Sequence, residues 1–296
     1  LDLKARSALF TLFGDVVRPA GGDAWLTTLT TCMGALGFTP EATRTALHRM
    51  AAEGWVAPRR SGRYSVYSLT DAGVERLEEA AARIYRLRAA DWDGRWHLLV
   101  CPAAGRSPEI ARELQWTGHG RLSGDVWVSP HPQGRRLARL LDAHDLDDLA
   151  VQFDSVTTTD AAQSRRIVST AWDLTELRTA HQTFIEQWAD ADAPDEPQAA
   201  FATRIRLVHH WRSFLFMDPG LPAELLPADW LGDAAARVFR SLYEAVDTAA
   251  WRYYDGVAQT APPSVDITND AVRTLQRTAA NPFVHGLDAL STPRPA

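Results

Sequence analysis

Apolar residues near the start of the chain recur at helical spacing. Leu9, Leu12, Phe13 and Val16 fall on one face, and the pattern stops before Pro19 and the Gly21-Gly22 pair, which mark a turn. A second stripe, Trp25, Leu26, Leu29, Met33 and Leu36, predicts another helix, closed by Gly37, a residue type that accepts the left-handed backbone of a helix end. Thr39-Pro40-Glu41 then supplies a side-chain cap, a proline suited to the first helical position, and a carboxylate at the positive helix end. In the helix that follows, Thr43, Ala46, Leu47 and Met50 share one face, while Arg44, Thr45, His48 and Arg49 share the other, and Gly54 ends it. Helix, short turn, helix is the helix-turn-helix pattern, whose second member is presented to a major groove.

The periodicity then changes from helical to alternating. Trp55 to Arg60 and Arg63 to Leu69 read as two strands joined at Ser61-Gly62, with Arg59, Arg60 and Arg63 around the hairpin tip. Thr70-Asp71-Ala72-Gly73 caps a further helix carrying Val74, Leu77, Ala81, Ile84 and Leu87. Beyond it, a strand over Trp96 to Cys101, a helix from Ser107-Pro108-Glu109, a hairpin (His119 to Leu122, Asp125 to Ser129), a helix over Arg135 to Ala143 and a strand over Leu149 to Thr157 give the order β-α-β-β-α-β. The remainder reads as helices over Leu174 to about Ala189, Gln198 to Met217 and Asp229 to Tyr254, with Trp188, Trp211, Trp230 and Trp251 as core anchors. The tail after Pro262 carries one weak helical stretch, Asn269 to Ala279, and a closing Ser-Thr-Pro-Arg-Pro-Ala expected to be disordered.

The fold class is thus α+β: an N-terminal winged helix-turn-helix (1–73), a connecting helix (74–93), a central ferredoxin-like βαββαβ domain (94–160) and a C-terminal α-helical domain (172–290) expected to sense a ligand. The length, 296 residues, is enough for two or three such units. No apolar run of 18 residues occurs, and the opening LDLKARSALF lacks the apolar core of a secretory signal, so a cytoplasmic protein without membrane attachment is expected. Cys32 and Cys101 lie in apolar runs and read as buried thiols.

Charge sharpens the picture. The net charge is −6, but residues 1–70 hold eight basic and five acidic side chains, a balance of +3 that leaves −9 on the rest. A basic module on an acidic body suits a protein that meets phosphates with one end only. Arg44, Thr45, His48 and Arg49 are the candidate contacts to base edges and nearby phosphates, and Arg59, Arg60 and Arg63 to a neighbouring groove or backbone.

Enzyme chemistry finds little support. The chain contains no Gly-x-Ser-x-Gly elbow, phosphate-cradling glycine loop or metal-spaced His/Glu motif, so no catalytic residue, metal or cofactor is assigned. His209 and His210 are adjacent in a helix, and adjacent helical residues point about 100° apart, with no further ligand one turn away. Arg204, His209 and Arg212, on the helix before Asp218-Pro219-Gly220, are candidate cationic partners for the phosphates of a ligand. Internal ion pairs with Asp218, Glu224 or Asp229 are the alternative for this group.

The stretches LFTLFGDVVRPAGGDAWLTTLT, GFTPEATRTALHRMAAEGWV and RRSGRYSVYSLTDAG, with WDGRW, GDVWVSPH and LFMDPGLPAELLPADWLG further on, resemble the PaaX family of phenylacetic-acid degradation repressors. The resemblance spans Leu3 to about Tyr254. It implies a transcriptional regulator that binds double-stranded operator DNA as a homodimer and is released by a small-molecule effector, an aryl-acyl-CoA such as phenylacetyl-CoA. The middle segment is similar to the small ferredoxin-like nuclease of CRISPR adaptation, which implies a dimerisation role. That nuclease binds metal through an Asp at the end of its first strand; here the strand ends in Val100-Cys101-Pro102, so nuclease activity is not expected. An enzyme or binding protein acting on a CoA thioester or nucleotide, with no regulatory role, is the alternative. A regulator needs a hinge that couples ligand to DNA, and Glu75 to Arg88 is the candidate, with a solvated charged face as the simpler reading of the same residues.

Overall fold

Residues 3–75, 77, 92–132 and 134–259 are described in this computed structural model, a mixed helix and sheet protein that divides into two units. One unit takes residues 1–85, 183–213 and 234–296, and the other takes 86–182 and 214–233. The last helices fall in the same unit as the N-terminal elements. Most of the connecting helix 74–93, including the hinge Glu75 to Arg88 apart from Glu75 and Leu77, and the whole segment beyond 259 lie outside the described residues.

The first unit begins with α1 (Ala5–Leu12), which continues into a π-helical turn over Phe13–Val17. A three-residue strand β1 (Asp23–Trp25) follows, then α2 (Leu26–Ala35), α3 (Pro40–Ala52), β2 (Val56–Ser61) and β3 (Tyr64–Leu69). The three strands form an antiparallel sheet in the order β1-β3-β2. Leu9, Leu12, Phe13, Leu29, Met33, Leu47, Met50 and Val66 form its buried centre. Trp25, expected in the second helical stripe, is instead extended and paired with Val66. A strand of three residues is too short to show alternation, and its partner lies some forty residues away along the chain.

Later in the chain this unit also takes α9 (Pro197–Arg212) and most of α10 (Gly232–Gln259), which follow five helices, α4 to α8, that begin in the second unit. Helix α9 opens with Pro197 and a capping carboxylate, Glu196, that accepts from the amides of Gln198 and Ala199 at 3.0 and 2.6 Å. It packs on α1 and α2. Trp211 and Phe239 stack at 4.7 Å with their planes 6° apart, and Phe184 meets Trp211 edge-on at 5.2 Å. These contacts bury Trp211 and Trp188 as expected of core anchors, whereas Trp230 and Trp251 are only half-buried.

At the centre of the packing lies Arg204, 2% exposed. Its Nε donates to Asp15 Oδ2 at 2.7 Å, Nη1 to Asp247 Oδ1 at 2.5 Å, and Nη2 to the Asp15 carbonyl oxygen at 3.3 Å and to the Tyr243 hydroxyl. That hydroxyl donates in turn to Asp15 Oδ1 at 3.0 Å. The guanidinium also lies 4.4 Å from the Tyr243 ring and 4.9 Å from the Trp251 ring. Burial opposes its charge, but Asp15, Tyr243 and Asp247 outweigh that penalty and hold its pKa above the ordinary value.

The second unit contains β4 (Arg95–Val100), α4 (Pro102–Arg106), α5 (Pro108–Trp116), β5 (Gly120–Ser123), β6 (Val126–Ser129), α6 (Gly134–Ala143) and β7 (Val151–Thr157). Its sheet is antiparallel throughout, in the order β5-β6-β4-β7. Leu99 and Trp127 on one face meet Ile110 and Leu114 of α5 and Leu137, Leu140 and Leu141 of α6. Trp96 and Val128 on the opposite face meet Val168 of α7 (Ala161–Ala171) together with Leu221 and Leu225. Helix α8 (Thr175–Trp188) belongs to this unit through Gln182.

Helix α7 has no counterpart in the sequence reading. Only Ser164 and Val168 are buried along it, a stripe too narrow to show as helical periodicity. Its one legible signal is the cap, Asp160, whose Oδ1 accepts from the Gln163 amide at 2.9 Å.

Removing the buried guanidinium by Arg204→Met leaves the Asp15 carboxylate uncompensated and is expected to cost about 3–5 kcal/mol, measurable by urea denaturation. Acid sensitivity follows from two histidines of the second unit, His119 and His181, which burial pushes down to about 4. The unfolded chain takes up these protons near the ordinary value of about 6.5 and the folded chain only near 4, so the unfolded state binds more protons in between. Stability should fall as pH is lowered from about 6.5 to 4; replacing His181 by Phe should flatten the slope of melting temperature against pH in that window.

Candidate nucleic-acid interface

The turn between α2 and α3 is built by the backbone. Gly37, at φ 92°, donates to the Gly34 carbonyl at 2.9 Å, and Phe38 donates to the Met33 carbonyl at 3.1 Å, which is the Schellman closure of a helix. Thr39 Oγ1 then accepts from the Ala42 amide at 3.2 Å, with Pro40 in the first helical position. These bonds leave four residues, Leu36 to Thr39, between α2 and α3 and so fix which face of α3 is buried.

That face consists of Thr43, Ala46, Leu47 and Met50, all buried against α1 and α2. Arg44, Thr45, His48 and Arg49 are exposed. Arg44 touches only Glu41 one turn before it, at 3.5 Å, and both side chains are more than half exposed. Four exposed polar side chains on two successive turns, two of them arginines, can donate to phosphates and base edges without disturbing the core.

The β2–β3 hairpin closes through Gly62 and Arg63, because Ser61 is already paired with Tyr64; the sequence reading set the turn one residue earlier, at Ser61-Gly62. Gly62 has φ 60°, the positive value that a two-residue loop between twisted strands requires at its first position. Arg59, Arg60 and Arg63 are exposed. Arg59 leans toward Asp23 of β1, 3.4 Å away, and Arg63 lies over the Tyr64 ring at 4.9 Å. Strand β2 packs beside α3, so the two arginine groups belong to one module.

The three residues proposed from sequence as ligand cations occupy a different setting. Arg204 is held by Asp15, Asp247 and Tyr243 rather than by Asp218, Glu224 or Asp229, and it is buried. Arg212 donates to Thr11 Oγ1 at 2.5 Å and lies 4.4 Å from the Phe10 ring. His209 Nδ1 is 3.4 Å from Ser7 Oγ, and burial, then Arg212 and His210, push its pKa down to about 4. His209 and Arg212 thus meet α1, while Arg204 ties α9 to the turn after α1 and to α10. The sequence carried no signal of this, since the partners lie about two hundred residues apart. His210 accepts from Trp188 Nε1 at 2.9 Å, and among the described residues no three His, Cys, Asp or Glu side chains come together as a metal site. No helix of the described residues is long and apolar enough to cross a membrane.

Comparison with known proteins matches three consecutive stretches of the chain. Residues 4–73 match the PaaX-like protein family, 89–168 the PaaX protein central Cas2-like domain, and 172–256 the PaaX-like protein C-terminal domain. The chain is 33% identical over 272 residues to the transcriptional repressor PaaX of Escherichia coli (strain K12), covering 88% of this chain and 86% of that protein. The uncharacterized protein Rv0674 from Mycobacterium tuberculosis has a similar fold, with a TM-score of 0.55 and 23% identity over 86% of this chain and 99% of the other. The class is that of modular transcriptional regulators, with an N-terminal helical module followed by a Cas2-like domain. Within that class, the chain belongs to the PaaX family.

Proposed function

We propose that this chain is a ligand-responsive, DNA-binding transcriptional repressor of aromatic-acid catabolic genes, acting in the cytoplasm and released from its operator by an aryl-acyl-CoA such as phenylacetyl-CoA. The observation that carries the reading is the division of α3 into a buried apolar face and an exposed face holding Arg44, Thr45, His48 and Arg49. In this reading residues 1–73 are a winged helix-turn-helix: α3 lies in the major groove of double-stranded operator DNA, and Arg59, Arg60 and Arg63 of the hairpin wing meet the adjacent backbone. The relative named a transcriptional repressor, similar over most of both chains, supports the same conclusion. The chain acts by binding and is not an enzyme.

The central domain is read as ferredoxin-like and as the site of homodimerisation. Strand β7 is an edge of its sheet and carries the large exposed apolar residues Val151 (54%), Phe153 (50%) and Val156 (39%), with Leu149 (62%) just before it. The register shifts between Trp96 and Leu98 of β4, where β7 has one residue more than its partner. Phe153 and Val156, three apart, thereby share one sheet face with Val151. An apolar stripe beside a free strand edge suits a second copy of the same strand, since antiparallel self-pairing is compatible with two-fold symmetry.

Arg44→Ala with Arg49→Ala is expected to abolish operator retardation in a gel-shift assay while leaving the dimer intact; unchanged retardation overturns the DNA-binding assignment. Phe153→Asp is expected to shift the protein from dimer to monomer in analytical ultracentrifugation at micromolar concentration, and a dimer of unchanged stability moves the interface elsewhere.

A further inference from the structure

Three tryptophans of the second unit form one cluster. Trp92 meets Trp96 edge-on at 5.2 Å, and Trp96 stacks with Trp172 at 6.2 Å with 27° between their planes. Trp96 comes from β4, and Trp172 follows the last residue of α7. Leu221, Leu225 and Leu226, from the segment after the 3-10 turn Ser213–Phe216, pack on the cluster. That segment is held in place at its turn, where His131 Nε2 lies 2.7 Å from the Gly220 carbonyl oxygen and Asp218 Oδ1 accepts from the Gly220 amide at 2.7 Å.

A buried indole normally finds an acceptor for its N–H. Trp92 donates to the Arg95 carbonyl at 2.8 Å, and Trp188 in the other unit donates to His210. Trp96 and Trp172 do not: both Nε1 atoms are buried with no acceptor among the described residues. Trp127 shares this property but lies on the opposite face of the sheet, away from a second unmatched donor. Two unmatched donors on stacked rings leave a demand that acceptor oxygens of a ligand would meet. The cluster borders solvent through Trp92, Trp172, Leu122 and Leu226, which are half-buried, while Trp96 is 1% exposed. It is also tightly formed: a methyl group added at Gly120 of β5 would approach the Trp172 ring to 2.4 Å, so that ring lies directly on the strand backbone.

We propose that the Trp92–Trp96–Trp172 cluster under the 218–226 segment receives the aryl-acyl group of the effector, its ring packing among the indoles and its carbonyl oxygen accepting from Trp96 and Trp172. This rests on the effector reading given under the proposed function and adds its location. The recognised chemistry is an aromatic ring joined through a short link to a carbonyl oxygen, a feature common to the free acid and to its thioester. The site lies in the second unit.

Titration calorimetry of the full chain with phenylacetyl-CoA, phenylacetate and CoA tests it. Wild-type protein binds the thioester, and Trp96→Phe and Trp172→Phe, which keep a ring but lose the donor, each weaken binding about fivefold to tenfold. Trp127→Phe, whose unmatched donor lies on the opposite face of the sheet, changes it less than twofold. Binding of phenylacetate with the same losses identifies the free acid as sufficient, and binding of the thioester alone identifies the thioester. Unchanged binding in both donor variants overturns the location and leaves the effector reading standing, whereas a wild-type protein that binds neither compound overturns both. If a variant fails to fold, the wild-type protein decides: in a spectrum of indole N–H groups, two signals should move downfield on adding the bound compound, and none moving refutes the site.

Discussion

The bond between Arg204 and Asp15 is the constraint on which the first unit depends. A guanidinium with 2% of its surface exposed is tolerable only when its charge is matched on the spot, and the match comes from both ends of the chain. Asp15 lies in the π-helical turn that follows α1, while Tyr243 and Asp247 lie on α10. Because the three elements share one buried cation, the N-terminal and C-terminal helices form one packed body. Helix α1 in turn supports the buried face of α3, so the outward direction of Arg44 and Arg49 is set by contacts that include residues some two hundred positions further along.

The second unit follows a different logic, with a sheet whose faces are covered unequally. Helices α5 and α6 cover one face with aliphatic side chains. The other face is shared by α7, the 221–226 segment and three tryptophans, and along β7 it remains open. A single extra residue opposite His97 turns Val151, Phe153 and Val156 to the same side. The open stripe and the unmatched indole donors are thus neighbouring properties of one surface, which gives the proposed assembly and the proposed ligand a physical route for influencing each other within a single unit.

Much of the architecture was legible from local rules. Thr39-Pro40-Glu41 announced the start of α3, and Ser107-Pro108 announced that of α5, because caps and prolines act over three or four residues. The burial of Thr43, Leu47 and Met50 against the exposure of Arg44 and Arg49 also followed from spacing alone. What escaped were elements with little local signature: the short strand β1, the narrowly buried α7 and the π-helical turn carrying Asp15.

The sequence by itself determined where helices and strands begin, which faces are apolar, and where the arginines gather, since these depend on neighbours within a turn or a hairpin. Only the tertiary structure decided that Arg204 binds Asp15 and Asp247 rather than the nearer carboxylates at 218, 224 and 229, and that Arg212 meets Thr11. The same is true of the two indole donors left without acceptors in one cluster. The reason is physical: burial and partner choice are set by the packing of distant segments, and for a charged or polar group the free energy of that packing outweighs any local preference.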